Sequence, residues 1–459
     1  MSTIAAISTP IGQGGIGIIR ISGEKSLEII NKIFKPKNNK REFKSYAIRY
    51  GHIYDEEELI DEVLVSYFKG PNSYTGEDVC EINSHGGNLI VRRILDLVLK
   101  NGADMAEPGE FTKRAFMNGK LDLSQAEAVM DVINSKSVKE NKVSINQLEG
   151  YLGRKIKEIK GSLIDILVDI EANIDYPEYD IEEVQRNKIN TVLSKSVNAL
   201  SMLESSFEEG KILKEGINTV IVGRPNVGKS SLLNALLKED RAIVTSIAGT
   251  TRDTIEETLT VKGIPLKIVD TAGIRETEDI VEEIGVEKSK KALELADLVL
   301  LLLDSSEGIN EEDKALLELV KNKNYIILLN KIDVGNKISK EEIAMLCGFD
   351  VSNSANIVEI SAQKEIGISE LEEMIEKMFN LSKIDVDNEI VITNARHKKA
   401  ISDAKEAIKK VLEANLIGVP VDMLSIDLQN AVQYLGEITG ETVGEDIING
   451  IFKKFCLGK

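Results

Sequence analysis

One segment, Gly223-Arg-Pro-Asn-Val-Gly-Lys229-Ser230, constrains the fold of this chain more than any other feature. It follows the apolar run at residues 217–222 and opens the helical pattern at residues 230–237. A strand, a glycine-rich loop and a helix in this order are typical of a loop whose backbone N–H groups surround phosphate. The Lys229 ammonium can reach the outer phosphates of a nucleotide, and the Ser230 hydroxyl can ligate Mg²⁺.

The sequence around this segment alternates between strand and helix patterns from about residue 215 to residue 380. This alternation predicts a doubly wound, mostly parallel sheet with helices on both faces. The predicted strands cover residues 217–222, 258–261, 266–270, 298–304, 325–329 and 357–360.

Three further motifs follow predicted strands, where the loops of a parallel sheet bind ligands. The Asp270 carboxylate suits the surroundings of Mg²⁺, and the Gly273 N–H suits a γ-phosphate. The Asp333 carboxylate can accept both N1–H and N2–H of guanine, which adenine does not offer. Together with the loop after the last strand, these motifs resemble those of the translation-factor-related GTPases and predict a GTP site. The predicted contacts are Gly223, Asn226, Val227, Gly228, Lys229, Ser230, Ser231, Thr245, Ser246, Ile247, Ala248, Gly249, Thr250, Thr251, Asp270, Thr271, Ala272, Gly273, Asn330, Lys331, Asp333, Ser361 and Ala362.

The segment at residues 245–253 is interpreted as a switch loop, in which Thr251 senses the γ-phosphate through Mg²⁺. Ser230 and Thr251 are therefore the predicted Mg²⁺ ligands, although the segment also fits an ordinary polar loop. Ile274 follows the Asp-Thr-Ala-Gly motif and cannot orient water as a glutamine would. The residue that orients water must lie elsewhere, and residues 275–285 are rich in carboxylates.

Four zones are predicted along the chain. Residues 1–118 mix strands with glycine-rich turns, residues 119–213 are helical, residues 214–381 are the α/β zone, and residues 382–459 are helical again. We interpret the two helical zones as one domain that is split in sequence by the inserted α/β domain. Two separate helical domains are the alternative.

Composition excludes several classes of protein. The 459 residues carry a formal net charge of −19, so overall charge does not attract nucleic acid, and contact with it needs a basic patch or a partner. Three cysteines cannot form a disulfide framework, which fits a reducing cytosol. The sequence predicts neither a signal peptide nor a transmembrane segment, so a cytoplasmic protein without membrane contact is expected.

Four segments outside the nucleotide motifs resemble one family. They are IAAISTPIGQGGIGIIRISG near the start, PGEFTKRAFMNGKLDLSQAEAVMDVI from Pro108, DYPEYD from Asp175, and the final CLGK. With the nucleotide motifs, they make the chain similar to the MnmE (TrmE) family of tRNA modification GTPases over its whole length.

The resemblance implies a dimerising, folate-binding N-terminal domain, a helical domain and a G domain inserted in it. It implies a homodimer that forms an α2β2 complex with the FAD-dependent partner MnmG and acts on tRNA. The modification would place an aminomethyl or carboxymethylaminomethyl group at C5 of the wobble uridine. A reduced folate, 5-formyl- or 5,10-methylene-tetrahydrofolate, would provide the one-carbon unit.

The resemblance also assigns folate contacts to Arg20, Glu81, Lys120 and Lys459. Three cations for the glutamyl carboxylates and one acid for the pterin N–H donors are chemically suitable, although each could be a surface charge. Cys456, placed on an amphipathic helical tail, could take part in the modification chemistry or be a small buried hydrophobe. His85 could donate to a ligand or be a satisfied turn histidine, whereas Cys80 and Cys347 are interpreted as structural.

Hydrolysis is predicted to depend on K⁺ and on the pairing of two G domains, because no arginine finger or glutamine is recognisable. The Asn226 amide oxygen can ligate a monovalent cation beside the phosphates. The resemblance adds the residues Thr245, Ile247 and Thr250 to the K⁺ shell and Glu282 as the catalytic acid that orients water. A solvated helix acid is the alternative for Glu282.

Two rival functions fit the sequence less well than this one. A ribosome-assembly GTPase would carry an RNA-binding KH domain after its G domain, but the sequence there is helical and acidic. A one-carbon transferase with a vestigial G domain conflicts with the intact nucleotide motifs.

Overall fold

The computed structural model describes residues 1–10, 12–38, 43–175, 182–239, 257–269, 293–321, 323–347, 356–379 and 390–459. These residues form two compact units. The first comprises residues 1–133, 146–198 and 400–459, and the second comprises residues 134–145 and 199–399. The predicted domain boundaries after residues 118, 213 and 381 stay predictions.

A seven-stranded sheet lies in the first unit, with strand order β3-β4-β5-β6-β2-β1-β7. Neighbouring strands are antiparallel except for β1 and β7, which are parallel. In this register Arg20 on β2 lies opposite Glu81 on β6. The strands are Ile4–Ile7 (β1), Gly17–Ser22 (β2), Phe34–Pro36 (β3), Ala47–Asp55 (β4), Glu58–Phe68 (β5), Val79–Ser84 (β6) and Asp104–Met105 (β7).

Two helices, Ser26–Ile33 (α1) and Asn88–Lys100 (α2), share a hydrophobic core with this sheet. Apolar residues recur on α2 at the spacing of one helix face, so the helix buries a continuous stripe. That stripe includes Val91, Ile94, Leu95 and Val98.

The helices on either side of the second unit's sequence pack together in the first unit. The long helix Tyr151–Asp175 (α6) buries apolar side chains every third or fourth residue and packs against Ser425–Thr439 (α14). This packing joins segments about 250 residues apart and supports one helical domain that is split in sequence. The other helices with most of their residues in the first unit are Glu110–Met117 (α3), Leu123–Asn134 (α4), Glu182–Ser205 (α7), Ala395–Leu416 (α13), a 3₁₀ turn at Val421–Leu424, and Glu445–Phe452 (α15). Helix Val138–Leu148 (α5) has most of its residues in the second unit.

A six-stranded sheet lies in the second unit, with strand order β13-β12-β11-β8-β10-β9. All neighbouring strands are parallel except the β9–β10 hairpin. The central strands β11 and β12 are buried along their whole length, as expected for a parallel sheet that is covered on both faces. The strands are Ile217–Val222 (β8), Glu257–Val261 (β9), Ile264–Ile268 (β10), Leu298–Asp304 (β11), Tyr325–Asn330 (β12) and Ile357–Glu359 (β13).

Side chains alternate along β11 between two hydrophobic cores. Leu298, Leu300 and Leu302 join one core, whereas Val299 and Leu301 join the other. Successive residues of a strand point to opposite faces, so the sheet has a core on each side. Besides most of α5, the described helices of this unit are Phe207–Glu215 (α8), Lys229–Glu239 (α9), Glu311–Val320 (α10), Lys340–Cys347 (α11) and Ile368–Met378 (α12).

The predicted fold class is confirmed: a mixed α/β N-terminal region, a helical region split in sequence, and an inserted doubly wound sheet. The strand predicted at residues 266–270 lies two residues earlier, because Lys262 and Gly263 form a tight turn with positive φ. In the described part of the chain no helix is long and apolar enough to cross a membrane.

Candidate functional site

The phosphate-binding loop connects β8 to α9 and depends on two glycines in the left-handed region. Gly223 has φ +157° and Gly228 has φ +102°. A Cβ at Gly223 would lie 2.6 Å from the Leu302 carbonyl oxygen, and one at Gly228 would clash with the Asn330 side chain. These positions therefore require glycine both for backbone conformation and for close packing.

Lys229 is held by the loop that precedes it. Its Nζ donates to the carbonyl oxygens of Gly223, at 2.8 Å, and Arg224, at 2.9 Å. Burial lowers the pKa of the Lys229 ammonium, because partial removal from water penalises its charge. An anionic phosphate in the loop would reverse this penalty.

Three other residues of the loop, Asn226, Ser230 and Ser231, differ in their exposure. Ser230 is exposed in the first turn of α9, and Ser231 is partly buried behind it. Asn226 is exposed and has φ +63°, so the turn presents its side chain outside the core. A hydroxyl at Ser230 is a suitable ligand for Mg²⁺, and an amide oxygen at Asn226 is suitable for K⁺.

Asn330 joins the phosphate-binding loop to the loop after β13. Its Nδ2 donates to the Val227 carbonyl at 2.7 Å, and its Oδ1 accepts from the Ala362 N–H at 3.0 Å. The Asn330 side chain is buried, so both hydrogen bonds are protected from water. Three motifs that are distant in sequence thus meet through one amide.

Asp333 lies at the same edge of the sheet. The Ser361 hydroxyl donates to Asp333 Oδ1 at 2.7 Å, and Lys364 Nζ lies 3.3 Å from Oδ2. The hydrogen bond from Ser361 and the charge of Lys364 hold the pKa of Asp333 below its usual range. The carboxylate is therefore ionised at neutral pH and can accept two adjacent N–H donors.

Several predicted nucleotide-site residues lie outside the described residues. They are the whole switch segment at residues 245–251, the residues Asp270, Thr271, Ala272 and Gly273, and the acid Glu282. The Asp175 motif is described only at its first residue. Among the described residues, no cluster of three His, Cys, Asp or Glu side chains could hold a metal ion.

A second polar site lies on the sheet of the first unit. Arg20 Nε donates to Glu81 Oε1 at 2.9 Å across the β2–β6 pair. The guanidinium carbon lies 5.3 Å from the centre of the Tyr74 ring and 5.7 Å from that of Phe111. The ion pair is thus partly enclosed by two aromatic rings.

The C-terminal segment reaches this ion pair. The Gly458 carbonyl oxygen accepts from the Ser8 hydroxyl at 3.0 Å and from Arg20 Nη1 at 3.4 Å. Gly458 has φ +88°, and a Cβ there would clash with the Ile7 carbonyl. Burial, together with the nearby Arg20 charge, lowers the pKa of the adjacent Lys459 ammonium.

Lys120 lies near the same loop that carries Tyr74. Its Nζ donates to the Pro71 carbonyl at 3.1 Å. A Cβ at Gly76 would lie 3.5 Å from Lys120 Cγ, so the lysine follows this loop closely. The structure therefore brings Arg20, Glu81 and the C-terminal segment together, with Lys120 on the adjoining loop.

The placement predicted for Cys456 is wrong in one respect. Helix α15 ends at Phe452, and Cys456 lies beyond it, exposed and outside the helix. Gly458 is incompatible with continued helix, since its φ is positive. Cys80 is buried in β6, where burial raises the pKa of its thiol, whereas the Cys347 side chain lies outside the described part of the structure.

His85 has a carboxylate partner that the sequence did not reveal. Its Nδ1 lies 2.7 Å from Asp61 Oδ1, and its backbone N–H donates to Asp61 Oδ2 at 2.9 Å. The hydrogen bond with Asp61 raises the pKa of His85. Tyr74 and Ser8 were likewise missed, because no sequence motif links them to Arg20.

The whole chain is similar to known proteins of one family. Residues 3–120 match the family model described as GTP-binding protein TrmE N-terminus, and residues 123–456 match the MnmE helical domain. The chain is 50% identical to proteins named tRNA modification GTPase MnmE from Thermoanaerobacter pseudethanolicus and Acetivibrio thermocellus. It is 51% identical to the protein of that name from Clostridioides difficile. Each alignment covers 100% of this chain and 99% of the relative.

Proposed function

The chain belongs to the MnmE family of tRNA modification GTPases, and from this premise we propose how its two sites share the reaction. It is a GTP-hydrolysing enzyme that acts in tRNA modification. The nucleotide site of the second unit binds and hydrolyses GTP. The polar site of the first unit binds a reduced folate for the modification itself.

The observation that carries the nucleotide assignment is the double hydrogen bond of Asn330. It joins the phosphate-binding loop at Val227 to the base-side loop at Ala362. A ligand that spans both loops must carry phosphates at one end and a base at the other. The ionised Asp333 carboxylate favours guanine, because guanine offers two N–H donors on one edge.

The cation chemistry at this site is the finer part of the proposal. Mg²⁺ would be held by Ser230 and Thr251, and K⁺ by Asn226 with Thr245, Ile247 and Thr250. When bound, these cations neutralise charge that develops on the phosphates. Glu282 would orient the attacking water, and pairing of two G domains would order the switch segment.

The folate assignment rests on the charges around the first-unit ion pair. Arg20, Lys459 and Lys120 offer cations for carboxylates, and Glu81 can accept pterin N–H donors. The lowered pKa of Lys459 fits a site in which an anion compensates for burial. A reduced folate, 5-formyl- or 5,10-methylene-tetrahydrofolate, would supply the one-carbon unit.

The partners follow from the family. A homodimer would join the FAD-dependent protein MnmG in an α2β2 complex in the cytoplasm and act on tRNA. The product would carry an aminomethyl or carboxymethylaminomethyl group at C5 of the wobble uridine. Cys456 is exposed and lies two residues before Gly458, whose carbonyl accepts from Arg20, so its thiol could take part in this chemistry.

Mass spectrometry of wobble uridines tests the overall function. Deletion of the gene should remove the C5 modification, and the wild-type chain should restore it. Lys229→Ala and Arg20→Ala should each fail to restore it, for lack of nucleotide and folate binding respectively. Pseudouridine in the same tRNAs serves as the internal control. Unchanged wobble uridines in the deletion strain would exclude this function.

Rates of GTP hydrolysis in KCl and NaCl at matched ionic strength test the cation proposal. The wild type should be faster in KCl, because Na⁺ is smaller and suits the ligand shell less well. Asn226→Ala should lose the preference for K⁺, and Glu282→Ala should bind GTP normally but hydrolyse it slowly. Equal wild-type rates in both salts would contradict the role of K⁺, and full activity of Glu282→Ala would contradict the role of the acid.

A further inference from the structure

Two loops at the nucleotide edge of the second sheet are joined by a charged contact that no sequence motif includes. Asp304, the last residue of β11, lies opposite Asn330 in the strand register. Its Oδ2 lies 2.6 Å from Lys331 Nζ. The Asp304 side chain is 3% exposed, whereas the Lys331 side chain is 34% exposed.

Asp304 itself is firmly oriented. The backbone N–H of Ser306 donates to Asp304 Oδ1 at 3.0 Å, and the Ser306 hydroxyl donates to the same oxygen at 2.6 Å. Burial alone would raise the pKa of Asp304, but hydrogen bonds from Lys331 and Ser306 outweigh it and leave the pKa below its usual value. The carboxylate is therefore a fixed negative charge beside the Lys331 ammonium.

Lys331 needs a fixed partner such as the Asp304 carboxylate to hold its side chain in one conformation. It lies between Asn330 and Asp333 and has φ +65°, a left-handed conformation that is unfavourable for a residue with a side chain. A free lysine side chain samples many rotamers, which costs entropy when a ligand orders it. The Ser305 N–H donates to the Asn330 carbonyl at 2.8 Å, so the backbone of the Asp304 loop also supports this segment.

We propose that Asp304 is a positioning residue of the guanine-nucleotide site, which holds the Lys331 ammonium so that its methylene stem faces the base. Because Asp304 engages the ammonium, the part of Lys331 that remains for the ligand is apolar. The flat face of a purine can pack against such a stem. The role concerns the base and ribose, not the phosphates. This inference rests on the proposed GTP site.

Nucleotide affinity of the full-length chain tests the proposal. Asp304→Asn should weaken binding of GTP, GDP and GMP by the same factor, about tenfold, because all three share the base. Hydrolysis should show a raised KM with little change in kcat. Lys331→Met keeps the apolar stem but loses the charge. Asp304→Asn should have no further effect in a Lys331→Met background, since its partner is already absent.

Two controls distinguish a loss of Lys331 positioning from a loss of the fold. Glu376→Gln removes a carboxylate that pairs with Lys139 and Lys262 in the same unit, and it should leave all three affinities unchanged. Circular dichroism of each ligand-free variant identifies loss of fold. If Asp304→Asn is unstable, the measurement at a lower temperature, where the fold is intact, decides the question.

The outcomes are distinguishable. The role of Asp304 is supported if Asp304→Asn weakens the binding of GTP, GDP and GMP equally and if its effect does not add to that of Lys331→Met. Wild-type affinity in folded Asp304→Asn, or full additivity with Lys331→Met, overturns it while the GTP site stands. Absence of GTP binding by the wild type would instead refute the proposed function.

Discussion

The two candidate sites each place a half-buried lysine where an anion is expected, but they assemble it in opposite ways. Lys229 takes both of its carbonyl partners from residues five and six positions earlier. Lys459 lies in a segment whose contact with Arg20 joins residues 438 positions apart. In both cases burial lowers the pKa of the ammonium.

The difference concerns how each site can be lost. A loop that binds its own lysine needs only a local sequence and the strand and helix on either side. The first-unit site needs β2, β6 and the end of the chain to be in place together. Disturbance of the C-terminal segment should therefore abolish one function and leave the other intact.

The largest expected effect is at the phosphate-binding loop. Lys229→Ala should weaken GTP binding by at least about 100-fold, because a charge-assisted contact to phosphate is removed. Calorimetric titration with GTP measures the loss, and folate titration of the same variant serves as the control. Lys314→Ala offers a matched surface lysine in the same unit, since Lys314 pairs only with Glu311 among the described salt bridges. Unimpaired hydrolysis by Lys229→Ala would contradict the role of the phosphate-binding loop.

Removal of residues 456–459 should have the next largest effect. Folate affinity should fall roughly 30-fold, because the site loses Lys459 and the Gly458 carbonyl that holds Arg20. GTP affinity should not change. Lys459→Gln separates the charge from the backbone contact and should show an intermediate loss. If folate affinity of the truncated chain equals that of the wild type, Lys459 does not belong to the site.

Asp333→Asn tests the part of the nucleotide site that is proposed to bind the guanine base. GTP affinity should fall roughly tenfold, since the amide cannot accept both guanine N–H donors. Preference should shift toward xanthosine nucleotides, because the amide can donate to the xanthine oxygen. Competition between GTP and xanthosine triphosphate measures this shift, with folate affinity as the control. Unchanged GTP affinity would show that the base pocket is wrongly assigned.

The smallest expected effect is the pH dependence of ligand affinity. We expect it at both sites. Each lysine has a lowered pKa when free, and a bound anion should raise it again. Affinity should then be constant at neutral pH and fall a few-fold as pH rises through the lowered pKa of the free protein. Titrations with folate between neutral and alkaline pH measure this for Lys459. The fall of folate affinity with rising pH should disappear in Lys459→Gln. If the fall persists in that variant, it comes from the titration of another group.

The elements that carry the phosphate-binding loop were largely predictable, because the motif lies between an apolar run and a helical pattern. The loop at residues 223–230 needs glycine at fixed positions, and the motif around Asp333 follows an apolar run. Predicted β8 and β11 match the observed strands because fully buried strands are continuous apolar runs. Cys456 was placed in a helix because periodicity does not register the backbone conformation that Gly458 requires.

The contacts between motifs were not predictable. No spacing rule connects Asp61 with His85 or Asp304 with Lys331, since each pair depends on the strand order of its sheet. The resemblance to a family supplied Arg20, Glu81 and Lys459, but not Tyr74, Phe111 or Ser8, which surround them.

The sequence by itself determined which local structures form and which residue types could bind phosphate, because helix, strand and loop preferences depend on neighbouring residues. Only the tertiary structure decided which of the charged side chains meet. Burial and pairing shift the pKa values of Asp333 and Lys459, and both depend on residues brought from other parts of the chain. Electrostatic energy depends on distance in space and on exclusion of water, neither of which is a property of sequence separation.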